Sequence, residues 1–165
     1  MAFTVEDGTG LVAANAFVEV AFVDAYHKDR SNPSWTGSIT EKQSAIIRAS
    51  DYITGKFHFR GLPINDTQGV SWPRIGVYTE RGAVLDAASV PDELMIATAI
   101  LAVPALTVDL DPDNLAGRVR QQSEKFGPIS KSVTFFSEAS PVYGKTVDVL
   151  HLLLHNQGSL PLMRA

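Results

Sequence analysis

The chain has 165 residues, 45% hydrophobic and 19% charged, with a formal net charge of −4 and no cysteine. These values describe one domain with one core, stable without a disulfide or structural metal, and they exclude a thiolate zinc site, a thiol nucleophile and a disulfide framework. The acidic balance argues against sequence-independent wrapping of a phosphate backbone.

The opening MAFTVEDGTG lacks the basic and long apolar regions of a secretory signal, so no export is expected. Asp7-Gly8 and Gly10 lead to the expectation of a loosely attached, flexible arm over about residues 1–16. From Ala21 to Arg30 the spacing predicts a short helix with Phe22, Ala25 and Tyr26 on its inner face. SNPSWTGS breaks it at Asn32-Pro33 and Gly37.

The clearest helix follows. Thr40 and Gln43 have the spacing of a capping box, and Ala45, Ile46, Ala49, Tyr52, Ile53 and Phe57 form one apolar stripe, leaving Ser50 among the residues opposite. Residues 61–90 then read as a long connection punctuated by Pro63, Gly69, Pro73, Gly76 and Gly82, a length that is uncommon unless functional or packed by its own side chains. Pro91, Asp92 and Glu93 open a helix that is apolar almost all round to Leu106, which marks it as central. Its apolar run, residues 95–106, is too short for the ~20 residues of a membrane span and contains Pro104.

Beyond an acidic turn, RVRQQSEKF and ISKSVTFF flank Gly127-Pro128 and predict a β-ribbon. Its second strand alternates Ile129, Lys131, Val133 and Phe135 with small polar residues. So polar a ribbon either packs one strand on the core or adds to a neighbour's sheet. TVDVLHLLLHN predicts a last helix, and residues 157–165 form an apolar, proline-broken tail. The fold class is therefore α+β, mainly α: a small bundle of about four helices, a long Gly/Pro-rich connection and a β-hairpin in one domain, 1–165.

His151 and His155 have the i, i+4 spacing of a zinc pair, but no third ligand accompanies them, and they read as polar residues at a helix edge. Asp109, Asp111 and Asp113 match half of a calcium loop, but Asn114 stands at the turn glycine and Arg120 at the bidentate glutamate, so a solvated turn is expected. No nucleophile elbow, phosphate loop or catalytic constellation appears. Neither an enzyme nor a cofactor is expected.

GVSWPRIGVY (69–78) sets Trp72, Pro73 and Arg74 together. An exposed tryptophan stacked on a base contributes about 1–3 kcal/mol, whereas truncating a buried one costs about 3–5 kcal/mol. A long Gly/Pro-rich connection needs the second more, and Ser71, Ile75, Gly76 and Val77 are not the basic, aromatic neighbours of a single-strand binder. The triplet is therefore read as a structural clamp, with Arg74 stacking on a ring or pairing with a carboxylate. His58-Phe59-Arg60 is the better nucleic-acid candidate, although a polar rim at a helix end is the simpler reading.

In order, AFVEVAFVDAYHKDR, a Trp-containing break, EKQSAIIRASDYI, QGVSWPRIGVY, SVPDELMIATAILA, a G-x-I-S-x-S-V hairpin and a leucine-rich terminal helix resemble the head-to-tail connector (adaptor) proteins of long-tailed bacteriophages. That family often carries the label "DnaT-like single-stranded-DNA-binding". The resemblance implies a virion neck protein, present in the host cytoplasm during assembly, that forms a ring on the portal protein, dodecameric in expectation. Neighbouring copies, the portal and the next neck or tail-completion protein are the implied partners, and double-stranded DNA passes through without specific binding. No membrane is involved. The polar ribbon edges suit contact between copies, and an apolar tail suits docking on a partner. The candidate partner-contacting residues are Val119, Ile129 and Val133 on the ribbon and Leu160, Leu162, Met163 and Arg164 in the tail. The alternative is a DnaT-like single-strand-binding replication protein.

Overall fold

The structure, a computed structural model, describes residues 2–79, 82–111, 121–126, 129–134 and 143–155. Among them are four helices, α1 (Val20–Asp29), α2 (Ile39–Lys56), α3 (Asp92–Ala105) and α4 (Gly144–Leu150), and two antiparallel strand pairs. β1 (Leu62–Pro63) pairs with β2 (Arg74–Ile75) inside the long connection, and β3 (Gln121–Phe126) pairs with β4 (Ile129–Thr134) as a hairpin. This is the mainly helical α+β fold expected.

α3 lies at the centre, against α1, α2 and α4. Leu94, Ala97, Thr98, Ala99, Leu101, Ala102 and Ala105 are all buried, and the alanines let neighbouring backbones approach closely. Thr98 satisfies its hydroxyl by donating to the Leu94 carbonyl at 2.8 Å. No helix among the described residues is long and apolar enough to cross a membrane.

Several local expectations shift. α1 turns Val23 and His27 inward and leaves Ala25 exposed, because the His27 ring finds a carbonyl partner on α3. The cap of α2 is Ser38 with Glu41, not Thr40 with Gln43: Ser38 Oγ accepts from Glu41 N, and the Glu41 carboxylate accepts from Ser38 N at 2.7 Å. Ser50, expected on the outer face, is fully buried and accepts the backbone N–H of Phe17. The last helix stops at Leu150, and the chain turns so that Leu154 bridges Phe59 in antiparallel fashion.

The N-terminal segment is packed, unlike the loosely attached arm expected. Val5 bridges Ala16, and Ala14, Ala16, Phe17 and Val18 are buried in the core. The Glu6 carboxylate, itself buried, accepts from the backbone N–H groups of Gly8 (3.0 Å), Gly10 (2.8 Å) and Leu11 (2.9 Å). Gly8, at φ +98°, lies so close to the Ala88 carbonyl that a Cβ would overlap it.

Candidate functional site

The Trp-Pro-Arg triplet sits where α2, the connection and the end of the described chain meet. Trp72 is 0% exposed. Its ring stands edge-on to Phe59 with centroids 5.9 Å apart, and its Nε1 donates to the Ser89 carbonyl at 2.8 Å. The Trp72–Pro73 peptide is cis, and Pro73 is buried as well.

Among the described residues Arg74 neither stacks on a ring nor pairs with a carboxylate. Its Nε donates to the Arg60 carbonyl at 2.8 Å, Nη2 to Gly61 at 2.8 Å and Nη1 to Ser71 at 3.1 Å. A planar fork with five donors suits such a set of carbonyls where no carboxylate lies in reach. Burial lowers the guanidinium from its ordinary value, and the carbonyls replace the water it gives up.

His58, Phe59 and Arg60 are equally committed. Phe59 is buried, Arg60 N donates to Leu153 O, Arg60 Nε donates to Leu154 O, and His155 N donates to His58 O. His151 lies in a turn with its ring beside the Asp148 carbonyl, so it does not share a helix face with His155. Asp109 Oδ1 accepts the N–H of Asp111, and Asp111 pairs with Lys56 at 2.7 Å, which raises the Lys56 ammonium above its ordinary value. These residues line an open cleft of about 350 Å³ with Arg48, Asp51, Tyr52, Gly55 and Leu110. Among the described residues no three His, Asp or Glu side chains converge as a metal site. Asp113, Val119, Leu160, Leu162, Met163, Arg164 and the tail 157–165 lie outside the described residues. Ile129 and Val133 are placed by backbone register alone, opposite Phe126 and Gln122.

Two features escaped sequence reasoning. Trp35, in the break after α1, is buried, donates to Asp24 Oδ1 at 2.6 Å and lies beside Lys42, which pairs with the same oxygen at 2.8 Å. Burial would push the Asp24 carboxyl up, but the hydrogen bonds from Lys42 and Trp35 outweigh it and hold the group below its ordinary value. A tryptophan in a polar break was the available signal. The second feature is an apolar surface on the connection itself. Leu62 (68% exposed) is opposite Ile75 (46%) in the β1–β2 pair, and Tyr78 (55%) bridges Val84 (65%). Tyr78 is an exposed aromatic.

The described cations nearest the triplet and several elsewhere on the helices have partners. Arg60 and Arg74 face carbonyls, Lys42 and Lys56 face carboxylates, and Arg30 stacks 3.6 Å from the centre of the Tyr26 ring. Such a locus can fix a loop and present apolar side chains.

The sequence model of the family described as "Putative DnaT-like ssDNA binding protein" matches residues 1–165. The chain belongs to that family. No curated protein and no solved structure matches this DnaT-like chain.

Proposed function

We propose that the chain is a structural adaptor of the bacteriophage neck, forming a ring on the portal, extending the DNA channel and docking the next neck protein. The reading starts from the order of segments that resembles the connector proteins. The observation that carries it is the enclosure of both aromatics weighed in the sequence for base stacking: Trp72 and Phe59 are inside the core, and the same connection exposes Leu62, Ile75, Tyr78 and Val84 instead. Apolar side chains grouped on a surface mark contact with protein. The test is electron microscopy of the full chain mixed with its cognate portal. A ring stacked on the portal is expected; a portal that stays bare at saturating chain overturns the adaptor.

The family description favours a second reading, binding of single-stranded DNA, and supports it more directly than it supports the neck. That reading needs a basic groove with exposed aromatics. Titration of a single-stranded oligonucleotide at low and moderate salt decides it. Micromolar binding with a steep salt slope, weakened by Tyr78→Ala in a protein that stays folded, establishes DNA binding; the absence of any salt-dependent shift removes it.

A further inference from the structure

Among the described elements, each strand of the β3–β4 hairpin touches only the other. Among the described residues it is a two-stranded sheet, and no described strand pairs with the outer edge of β3 or of β4. A hairpin of this kind is marginal by itself in water and gains stability from a third strand or a packed face. Edges that no described strand covers suit a strand supplied from outside the subunit.

Charge along the strands indicates which strand. Within the hairpin Glu124 is opposite Lys131, Ser123 opposite Ser132 and Lys125 opposite Ser130. If the outer edge of β3 pairs with the outer edge of β4 from a second copy in the same antiparallel register, Glu124 again meets a Lys131, this time across the subunit boundary. Opposite charges facing each other across strands are favourable, and like charges are not. The self-pairings do worse. Two like edges pair only with residues of the same parity opposite each other, so a near-full-length β4–β4 pair sets Lys131 opposite Lys131 or Val133, and a β3–β3 pair sets Glu124 opposite Glu124 or Gln122; neither brings a Glu124 to a Lys131.

We propose that neighbouring copies of this chain join by adding β3 of one to β4 of the next, with Glu124 of one copy facing Lys131 of the other. The contact uses two different edges, so it is heterologous: every copy keeps one β3 edge and one β4 edge to offer, and the assembly propagates until rotation closes it into a ring. This deepens the adaptor reading and rests on it for the closed form, although the strand pairing itself is testable on the free chain.

The chain has no cysteine, so single thiols report the contact without background. A Ser123→Cys chain and a Ser132→Cys chain are prepared separately, then mixed at high concentration under mild oxidation. The mixture is expected to give a disulfide-linked dimer that neither variant gives alone. Charge-swapped versions carrying Glu124→Lys with Lys131→Glu keep their own cross-strand pair and so control for the hairpin itself. Swapped chains are expected to link to swapped partners and to lose the link to partners of native charge. Linking by either variant alone, indifference to the swap, or no link in the mixture overturns the pairing. A ring on the portal without the cross-link removes the strand pairing but leaves the adaptor, and a cross-link without portal docking does the reverse.

Discussion

The Trp72 indole N–H reaches the Ser89 carbonyl across seventeen residues, at 2.8 Å. The bond ties the middle of the long connection to the segment that enters α3, two residues before Pro91. Gly69, just upstream, lies so close to the Ala14 carbonyl that a Cβ would overlap it, and its N–H donates to Leu11 O at 3.0 Å. The connection is thus held to both the N-terminal segment and α3, which explains how its described residues keep a defined path with only two very short strands.

Removing the Trp72 side chain should therefore unfold the connection's attachment, not merely its surface. Trp72→Ala is expected to lower stability by about 3–5 kcal/mol, the usual range for a buried large aromatic. Trp72→Phe keeps a ring against Phe59 but orphans the Ser89 carbonyl, with an expected loss of about 1–3 kcal/mol. Urea unfolding measures both. A Trp72→Ala midpoint close to that of the native chain would contradict the packing role.

Glu6 is the corresponding anchor of the N-terminal segment. Three backbone N–H groups converge on its carboxylate, and in Glu6→Ala they lose their acceptor. Each buried donor left unpaired costs about 1–3 kcal/mol before local relaxation and entering water reduce it. The expected result is faster amide exchange at Gly8, Gly10 and Leu11 together with a lower urea midpoint. Protection unchanged at all three would show that the carboxylate does not hold the loop.

The sequence made the central helix, the long connection and the hairpin legible, because each rests on an unmistakable local pattern. All-round apolarity from Leu94 to Ala105 has no other home than a core, and Gly/Pro spacing through 61–90 leaves no room for a long regular element. Legibility failed where a distant partner decided the outcome. Ser50 reads as a surface residue until Phe17 N, thirty-three positions away, is seen to need an acceptor. Arg74 was expected to find a ring or a carboxylate, but carbonyls of Arg60, Gly61 and Ser71 are brought together only by the folded turn. The exposed pairs Leu62–Ile75 and Tyr78–Val84 were present in the sequence, but their pairing across short strands was not.

The start of α2 offers a choice between two hydroxyls that sequence spacing alone decided wrongly. Ser38 makes the reciprocal cap with Glu41, and hydrogen bonds from Ser38 hold the Glu41 carboxyl below its ordinary value. Ser38→Ala should cost about 1 kcal/mol and Thr40→Ala only a few tenths, by the usual capping differential. Equal effects in thermal or urea unfolding would return the cap to Thr40.

His27 makes the stability of the fold depend on pH on the acid side. Its Nε2 lies 2.9 Å from the Ala99 carbonyl and its Nδ1 3.1 Å from the Asn32 amide nitrogen. That pair of partners fits a neutral ring donating from Nε2 and accepting at Nδ1. Burial is the main cause that pushes the imidazole below its ordinary value; the Ala99 carbonyl and Asp24 oppose it, and Arg30 adds to it. With the folded value lower than the unfolded one of about 6.5, the unfolded chain binds the extra proton first. The stability this residue contributes is therefore present in full above the unfolded value and is lost as pH falls through the folded one. The urea midpoint should decline as pH drops below neutrality, and His27→Gln should lower it at pH 8 but flatten that decline. A native profile that is level from pH 8 to pH 5, or a His27→Gln profile with the same slope as the native chain, would assign the acid sensitivity elsewhere.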